Sequence, residues 1–224
     1  MITVYGGALY APNVADSEKL EEECLKLDWL TKRTARHEYF MSQTPTEYSY
    51  GNKSLGDESY ISMPFTTEVK NLMFWLNQDL GANFNGCFLN KYDTEKQHLG
   101  WHADDFEGMD PSQPIAVVSL GAEREIWLKR KYEPCQTCGG SKKIDAGILF
   151  GGEYISKVTC PRCEGNGDSE NFVKGLLPQE NRILLERGSL FVMPKGFQDT
   201  YFHRIPKHDR PCGWRISLTF RSFL

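Results

Sequence analysis

The residues best suited to chemistry lie in the segment Gly100-Trp101-His102-Ala103-Asp104-Asp105. His102 and Asp104 are two positions apart, so on an extended segment their side chains point to the same side. They would supply two ligands of a 2-His-1-carboxylate site, which suits non-heme Fe(II) and leaves positions open for cosubstrate and oxygen. His203 is the best third ligand among the five histidines, because it lies between two predicted strands. Taken alone, the His-x-Asp pair also fits two surface polar residues.

A second group of polar residues lies on the strand-like segment at residues 215–221. Four polar side chains share one face of that strand, namely Arg215, Ser217, Thr219 and Arg221, while Ile216, Leu218 and Phe220 share the other. The strand spans about 20 Å, so two extended guanidinium groups leaning together would hold a short dicarboxylate end to end. Arginine suits this role because its planar fork binds carboxylate in a bidentate way. The alternative is a solvent-exposed sheet face with scattered charges.

A third group consists of four cysteines with the spacing C-x2-C-x21-C-x2-C, namely Cys135, Cys138, Cys160 and Cys163. Four thiolates in two tight pairs on a glycine-rich segment predict a closed structural zinc site. Buried free thiols or a disulfide are the alternatives. The second pair, within Cys160–Gly167, resembles one half of the zinc repeat of DnaJ co-chaperones, which implies a zinc-binding fold and not a chaperone function. The other three cysteines are expected in the core.

Two helices are predicted before a run of strands. The first begins at Asp16 or Ser17 and continues to about Leu30, and the second begins at Thr66 or Thr67 and stops at Gly81. Residues 31–65 indicate loops and short strands. Six further strands are predicted: Cys87–Tyr92, Ile115–Leu120, Arg124–Lys131, Arg182–Glu186, Ser189–Met193 and Trp214–Phe220. Helices followed by many short strands favour an α+β fold with a sandwich or barrel core.

Residues 134–175 interrupt the strands, with eight glycines in 42 positions and both cysteine pairs. We interpret them as a zinc-binding insertion between two strands of a hairpin. The main domain then has an N-terminal part, 1–133, and a C-terminal part, 176–224. Residues 129–174 carry eight Lys and Arg against six acids. The basic residues of this segment would contact a nucleic-acid backbone, or the insertion would only stabilise the hairpin or bind a protein partner.

Composition restricts the remaining possibilities. The chain has 224 residues, 40% hydrophobic and 25% charged, which excludes a mostly disordered chain. A formal charge of −4 excludes a uniformly basic surface that would coat nucleic acid, but not a local basic face. No apolar run approaches the ~20 residues of a membrane helix, and residues 1–10 do not resemble a signal peptide. A cytoplasmic location is expected, and oligomeric state stays open.

Several segments together resemble the AlkB family of Fe(II)- and 2-oxoglutarate-dependent dioxygenases. The matching segments are Leu89-Asn90-Lys91-Tyr92, Leu99–Asp105, Pro114–Gly121, Arg187–Met193, His203 and Arg215–Arg221, in the order and spacing of the family. They cover roughly residues 84–131 and 180–222. The resemblance implies a double-stranded β-helix (jelly-roll) core with iron at its mouth.

The resemblance also implies the roles of individual residues. Iron would be bound by His102, Asp104 and His203, and 2-oxoglutarate would be contacted by Asn90, Tyr92, Arg215, Thr219 and Arg221. Two positions depart from the family pattern. Ser217 stands where many relatives carry Asn, and Phe106 stands where several repair members carry an acid that helps to read the damaged base; Asp105 is a possible substitute.

The implied reaction is oxidative demethylation of nucleic-acid bases. Oxidation of a methyl group that is bonded to a ring nitrogen consumes 2-oxoglutarate and oxygen. The hydroxylated methyl group then leaves as formaldehyde. One alternative is a dioxygenase that hydroxylates a modified nucleotide or a protein side chain. Another is a zinc-dependent module that binds nucleic acid or protein on an inactive core, against which the intact triad argues. The sequence does not distinguish DNA from RNA, or repair from deliberate modification.

Overall fold

The computed structural model describes residues 1–15, 18–33, 35–50, 58–104, 108–131, 143–144, 158–159 and 181–224. At 32–33, 48–50, 58, 143–144 and 158 only the backbone is described. Four predicted zinc ligands, Cys135, Cys138, Cys160 and Cys163, lie outside the described residues, as do Asp105 and Phe106.

The described chain contains sixteen strands. In order they are β1 (Ile2–Thr3), β2 (Leu9–Ala11), β3 (Leu30–Arg33), β4 (Arg36–Ser42), β5 (Glu47–Tyr50), β6 (Glu58–Ile61), β7 (Gly86–Tyr92), β8 (Leu99–His102), β9 (Ile115–Gly121), β10 (Arg124–Arg130), β11 (Lys143–Ile144), β12 (Val158–Thr159), β13 (Asn181–Leu185), β14 (Leu190–Met193), β15 (Tyr201–Ile205) and β16 (Arg215–Arg221). The α-helices are α1 (Glu18–Leu25), α2 (Thr67–Leu80) and α3 (Phe197–Thr200), and a 3-10 turn spans Tyr5–Gly7.

Two antiparallel sheets dominate this architecture. The larger has eight strands in the order β1-β2-β14-β9-β16-β7-β4-β3, and the smaller has four in the order β13-β10-β15-β8. Two short hairpins, β5–β6 and β11–β12, form sheets of their own. The result is a mostly antiparallel β core with few helices, as expected for a jelly roll.

The apolar core lies on both faces of the larger sheet. One cluster joins Val69, Met73 and Leu76 of α2 to the apolar face of β16, and all are buried. A second cluster joins the larger sheet to the smaller one through residues such as Phe191, Ile126 and Ile205. Burying a side chain of this size contributes about 1.5–3 kcal/mol. The first cluster therefore packs against the apolar face of β16, and the second contains no β16 residue, so the polar face of that strand stays available for a site.

All six predicted strands are confirmed, with ends displaced by one or two residues. β10 and β13 pair antiparallel from Arg124↔Leu185 to Leu128↔Asn181, so they form the hairpin that the sequence predicted around the insertion. Residues 31–65 hold the short strands β3 to β6, again as predicted. β8 and β15 were not predicted as strands, although they carry His102 and His203.

The first helix is shorter than predicted. It ends at Leu25, and Leu30 already belongs to β3. The side chain of Trp29 explains the difference, because its Nε1 donates a 3.1 Å hydrogen bond to the Cys24 carbonyl oxygen at the helix end. This contact satisfies a carbonyl that a continuing helix would have used. The predicted caps Asp16 and Ser17 lie outside the described residues.

The second helix has its predicted limits but an unexpected cap. Thr66 is the N-cap residue, yet its side chain makes no capping hydrogen bond. The carboxylate of Glu23 on α1 instead accepts from the Glu68 backbone N–H, at 3.1 and 3.3 Å. A carboxylate is favourable there because the first N–H groups of a helix are unpaired and carry partial positive charge. Gly81 ends the helix with φ = +60°, as predicted.

The outer face of the smaller sheet carries alternating indole and guanidinium groups. Arg204 lies 4.6 Å from the ring centre of Trp101 and 4.1 Å from that of Trp127. Arg182 lies 3.9 Å from the same Trp127 ring. We call these four residues the Trp–Arg ladder. Each pair contributes about 0.5–2 kcal/mol, so the ladder ties together all four strands of the sheet.

The described chain divides into two compact units. One comprises Met1–Leu128 and Asn181–Leu224, and the other comprises Lys129–Glu180. In the second unit the described residues are 129–131 and the β11–β12 pair, Lys143↔Thr159 and Ile144↔Val158. No helix in the described part of the chain has both the length and the hydropathy needed to cross a lipid bilayer.

Candidate active site

The smaller sheet brings the two histidines together. His203 in β15 pairs directly with His102 at the end of β8, and their ring centres are 4.1 Å apart. Asp104 follows two residues after His102, with its Oδ1 3.7 Å from His102 Nε2 and its Oδ2 3.8 Å from His203 Nε2. One ligand atom from each residue lies within 4.8 Å of the others. This donor set fits Fe(II), because two imidazoles and one carboxylate on one side leave the other side open.

Neighbouring groups orient two of the three candidate ligands, His102 and Asp104. His102 Nδ1 lies 2.8 Å from the Gly100 carbonyl oxygen, so Nδ1–H donates and Nε2 is left to bind a metal. Gln198 Oε1 accepts from the Asp104 backbone N–H at 2.8 Å, and Arg221 Nη2 donates to Asp104 Oδ1 at 2.7 Å. The bonds of His102 and of the Asp104 backbone leave the metal-facing atoms free, whereas Arg221 uses Asp104 Oδ1 itself.

The protonation states also suit a cation. Burial alone would raise the pKa of Asp104, but Arg221 above all, with His203 and His102, lowers that pKa to about 2. Burial lowers the pKa of His102, and Asp104 opposes this shift only in part. A carboxylate beside a neutral imidazole is the protonation state that binds metal without first releasing protons.

The polar face of β16 is buried, which excludes the alternative of a solvent-exposed sheet face. Arg215 is 0% exposed, and Ser217, Thr219 and Arg221 are at most 6% exposed. Arg215 Nε donates to Ser119 Oγ at 3.0 Å. Its Nη1 and Nη2 make no hydrogen bond within the described residues, and neither does the buried Tyr92 hydroxyl. Burial lowers the pKa of the Arg215 guanidinium to about 10.

These buried donors fit the carboxylate of a dicarboxylic cosubstrate. An unpaired buried guanidinium costs free energy, and a carboxylate would satisfy it with two parallel hydrogen bonds. Tyr92 pairs with Arg215 across β7 and β16, and the Arg215 guanidinium lies 5.5 Å from its ring centre. Arg215, Thr219 and Arg221 alternate along the same strand face, with Arg221 next to Asp104. The arrangement can therefore hold an acid with one end near the metal.

The site has a small cavity at its centre, lined in part by Asn90, His102, Asp104 and Arg221. A larger cleft of about 430 Å³ also reaches Asp104 and is lined by Gln198, Asp110 and mostly apolar residues. Asn90 is 6% exposed and lies opposite Ser217 in the sheet. Asn90 thus lines the same small cavity as the candidate ligands His102 and Asp104.

Sequence reasoning missed Arg36, Glu38 and Tyr60, which lie directly behind Asn90. Arg36 and Glu38 were assigned no role, although they share one face of β4 with Phe40 and Ser42, and all four are buried. If residues 36–42 had been interpreted as a strand, Arg36 and Glu38 would have been predicted on its buried face. Gln198 and Ser119 were also missed, and no local pattern points to either.

The other histidines lie apart from this group within the described chain. His37 is bonded to Thr31 Oγ1 at 2.8 Å and to Asp93 Oδ2 at 2.6 Å. His208 Nδ1 lies 2.9 Å from the Arg210 carbonyl oxygen, on an exposed loop. Cys24 and Cys87 are buried in the core, as expected, and Cys212 is partly exposed. Burial raises the pKa of Cys24 to about 12, which keeps it an unreactive thiol.

A β core of two antiparallel sheets with a His-Asp-His group at the mouth is the architecture of iron-dependent oxygenases. A family model described as the 2OG-Fe(II) oxygenase superfamily matches residues 9–221. The chain therefore belongs to the 2OG-Fe(II) oxygenase superfamily.

Two individual relatives show which members of the superfamily the chain is similar to. The DNA oxidative demethylase ALKBH2 of Arabidopsis thaliana is 31% identical over 144 residues, covering 64% of this chain and 39% of that protein. The alpha-ketoglutarate-dependent dioxygenase alkB homolog 3 of Homo sapiens is 25% identical over 210 residues, covering 91% of this chain and 60% of that protein. The chain thus spans about two fifths and three fifths of their lengths. These matches confirm the AlkB resemblance.

The structure of OsALKBH1 has the same fold. It aligns with a TM-score of 0.54 at 16% identity and covers 98% of this chain and 99% of that one.

Proposed function

We propose that this protein is an Fe(II)- and 2-oxoglutarate-dependent dioxygenase that removes methyl groups oxidatively from nucleic-acid bases, as in repair of alkylated DNA or RNA. The observation that carries the proposal is the convergence of His102, Asp104 and His203 beside a buried arginine with unpaired donors. The name of one relative, the DNA oxidative demethylase ALKBH2 of Arabidopsis thaliana, supports the substrate class. A cytoplasmic location is part of the proposal.

The chain's own residues would divide the work. His102, Asp104 and His203 would hold Fe(II), which together with 2-oxoglutarate and oxygen supplies the oxidation of a methyl C–H bond. Arg215 would bind one carboxylate of 2-oxoglutarate through Nη1 and Nη2. Arg221 keeps Asp104 ionised and oriented, with Thr219, Asn90 and Tyr92 around the bound acid. Burial of these residues would exclude water from the reaction.

The proposal is tested by product analysis. Protein loaded with Fe(II) is incubated with 2-oxoglutarate, oxygen and a panel of DNA and RNA oligonucleotides carrying methyl groups on ring nitrogens. We expect mass spectrometry to show loss of a methyl group from at least one of them, with formaldehyde and succinate in equal amounts. Succinate without any demethylated oligonucleotide would favour hydroxylation of another substrate. Absence of succinate and of metal binding would favour an inactive core.

We further propose that Cys135, Cys138, Cys160 and Cys163 hold one structural zinc ion in an insertion spanning residues 134–175. The support is the paired spacing of four cysteines, which fills all four positions of a tetrahedral site. We expect metal analysis to find one zinc per chain, and Cys135→Ser to lower that value to near zero. Cys212→Ser is the matched control and should retain zinc. Equal zinc contents in the two variants would contradict the proposed site.

The insertion would contribute to binding of the nucleic-acid backbone through its basic residues. Changing Lys142 and Lys143 together to Ala should weaken binding and flatten the dependence of log K on log salt by about 1.5, since each phosphate contact adds about 0.7–0.9 to that slope. Turnover of 2-oxoglutarate without nucleic acid should not change. Unaltered binding and salt slope would favour a role in stabilising the hairpin or in contacting a protein partner.

A further inference from the structure

Three buried polar residues have no part in the proposed chemistry, although Arg36 lines the small cavity of the candidate active site and Glu38 and Tyr60 lie behind it. Arg36 is 4% exposed, Glu38 is 0% exposed, and Tyr60 is 1% exposed. Burying charged groups is costly, and the cost is recovered only in part by good pairing. The core of a protein that needs only stability would hold apolar side chains at these positions. Their contacts show what else they do.

The three residues form a continuous chain of contacts that ends at Asn90. The Tyr60 hydroxyl donates to Glu38 Oε2 at 2.5 Å, and Glu38 Oε1 forms an ion pair with Arg36 Nη2. Arg36 Nε then donates to Asn90 Oδ1 at 2.7 Å. We call this chain of contacts the Arg36 relay. It links the β5–β6 hairpin, through β4, to β7.

The relay determines which end of the Asn90 amide is available to a ligand. Oδ1 of Asn90 already accepts from Arg36, and in a network of this kind the oxygen and nitrogen of an amide are assigned by their partners. Nδ2, which can only donate, is therefore left for the cavity that Asn90 shares with His102 and Asp104. A hydrogen-bond donor at the position of Asn90 Nδ2 would suit an oxygen atom of a keto acid.

Glu38 has an electrostatic role in the same arrangement. Arg215 and Arg221 are buried on the neighbouring strand face, and Arg36 is a third buried guanidinium close to them. Glu38 neutralises Arg36 and receives a second hydrogen bond from Tyr60. Without Glu38, Arg36 would be an unpaired cation beside the cosubstrate and would compete with Arg215 and Arg221 for its carboxylates.

We propose that Arg36, Glu38 and Tyr60 are positioning residues, which fix the Asn90 amide with its NH2 group towards bound 2-oxoglutarate. They thereby make cosubstrate affinity depend on the docking of the β5–β6 hairpin. This inference rests on the proposed function, because it assumes that 2-oxoglutarate binds beside Asn90.

Tyr60→Phe isolates the hydroxyl from the ring. The Tyr60 ring packs edge-on against Phe88, with centres 5.1 Å apart at 86°, and the Phe88 ring lies 5.7 Å from the Arg221 guanidinium. Phenylalanine retains these ring contacts and loses only the bond to Glu38. The variant therefore tests the relay without removing the aromatic cluster formed by Phe40, Tyr60 and Phe88.

The experiment is a double-mutant cycle on 2-oxoglutarate binding. Calorimetry measures the Kd of 2-oxoglutarate for full-length protein loaded with Mn(II), which replaces Fe(II) and prevents turnover. We expect Tyr60→Phe to raise Kd about fivefold to twentyfold. This is less than the roughly 12-fold to 160-fold of a complete hydrogen bond to a charged group, because the bond acts on the ligand only through Arg36 and Asn90. In an Asn90→Ala background the same change should raise Kd less than twofold, because the relay then has nothing to position.

Two controls distinguish an effect of the relay on 2-oxoglutarate binding from a general loss of stability. Ile61→Ala changes the neighbouring residue on β6, whose side chain is 76% exposed, and should leave Kd unchanged. Thermal melting shows whether Tyr60→Phe keeps a cooperative fold; if it does not, Glu38→Gln takes its place in the cycle.

The outcomes distinguish the inference from the function on which it rests. If Tyr60→Phe binds 2-oxoglutarate as tightly as the wild type, or if its effect adds fully to that of Asn90→Ala, the relay is overturned. If the wild type loaded with Mn(II) does not bind 2-oxoglutarate, the proposed function itself fails.

Discussion

The two sheets contribute to the site in different ways. The larger sheet supplies Arg215, Ser217, Thr219 and Arg221 from one strand, whose partners on both sides run in unbroken register. The smaller sheet supplies His102 and His203 from short strands with an irregular register after His203. The side chains proposed to bind the organic acid thus lie on one regular strand face. The candidate metal ligands instead lie where the pairing of β8 with β15 is irregular. Regular pairing gives a fixed spacing between anchors, and an interrupted strand leaves space for an ion.

Removing a candidate metal ligand should have the largest effect on activity and should test the role assigned to the smaller sheet. His102→Ala, Asp104→Ala or His203→Ala should each reduce succinate formation by more than about a thousandfold, because the metal holds both cosubstrate and oxygen. Iron binding should be lost in calorimetry, while circular dichroism should show the fold retained. A variant with iron bound and near wild-type turnover would show that the triad is wrong.

A change at Arg215 should affect the cosubstrate and leave the metal in place. Arg215→Lys keeps the charge but loses the planar fork. We expect the 2-oxoglutarate concentration for half-maximal rate to rise about tenfold to a hundredfold, in line with the loss of charge-assisted hydrogen bonds. Iron affinity measured without 2-oxoglutarate should not change. An unchanged half-maximal concentration would move the carboxylate anchor to Arg221 or elsewhere.

The smallest expected effect lies on the outer face of the smaller sheet. Arg182→Ala removes one end of the Trp–Arg ladder, 3.9 Å from Trp127. Denaturant unfolding should show a loss of about 0.5–1 kcal/mol, the usual contribution of an exposed cation–π pair. Kinetic constants for 2-oxoglutarate should stay the same. A change in those constants without a change in stability would show that the ladder acts on the ligand histidines.

The alternation of apolar and polar residues predicted β16 of the larger sheet well, but it did not predict β8 and β15 of the smaller sheet. The alternation in residues 215–221 showed both faces of β16, because a buried strand with one apolar face has a simple period of two. β8 and β15 gave no such signal, since both are short and take their form from pairing with each other. His203 was chosen because it lies between two predicted strands, among only five histidines in the chain. Its partner His102 is a hundred residues away in the chain.

Tertiary contacts explain what the sequence did not predict. The early end of α1 depends on the Trp29 indole, and the cap of α2 depends on Glu23 from another helix. The burial of Arg36 and Glu38 depends on Tyr60 and Asn90, which lie 22 and 54 residues away from them. A charged residue is normally expected at the surface, so only its partners can reveal that it is buried.

The position of β16 has a consequence for protein synthesis. β16 lies in the middle of the larger sheet, between β9 and β7, although both are much earlier in the chain. While a ribosome makes the segment between Gly121 and Arg215, β7 and β9 lack the strand that joins them. At roughly 5–20 residues per second this interval lasts about 5–20 s. One edge of β7, and both edges of β9 until β14 is made, are thus unpaired during that time, which favours protection of the nascent chain by a chaperone.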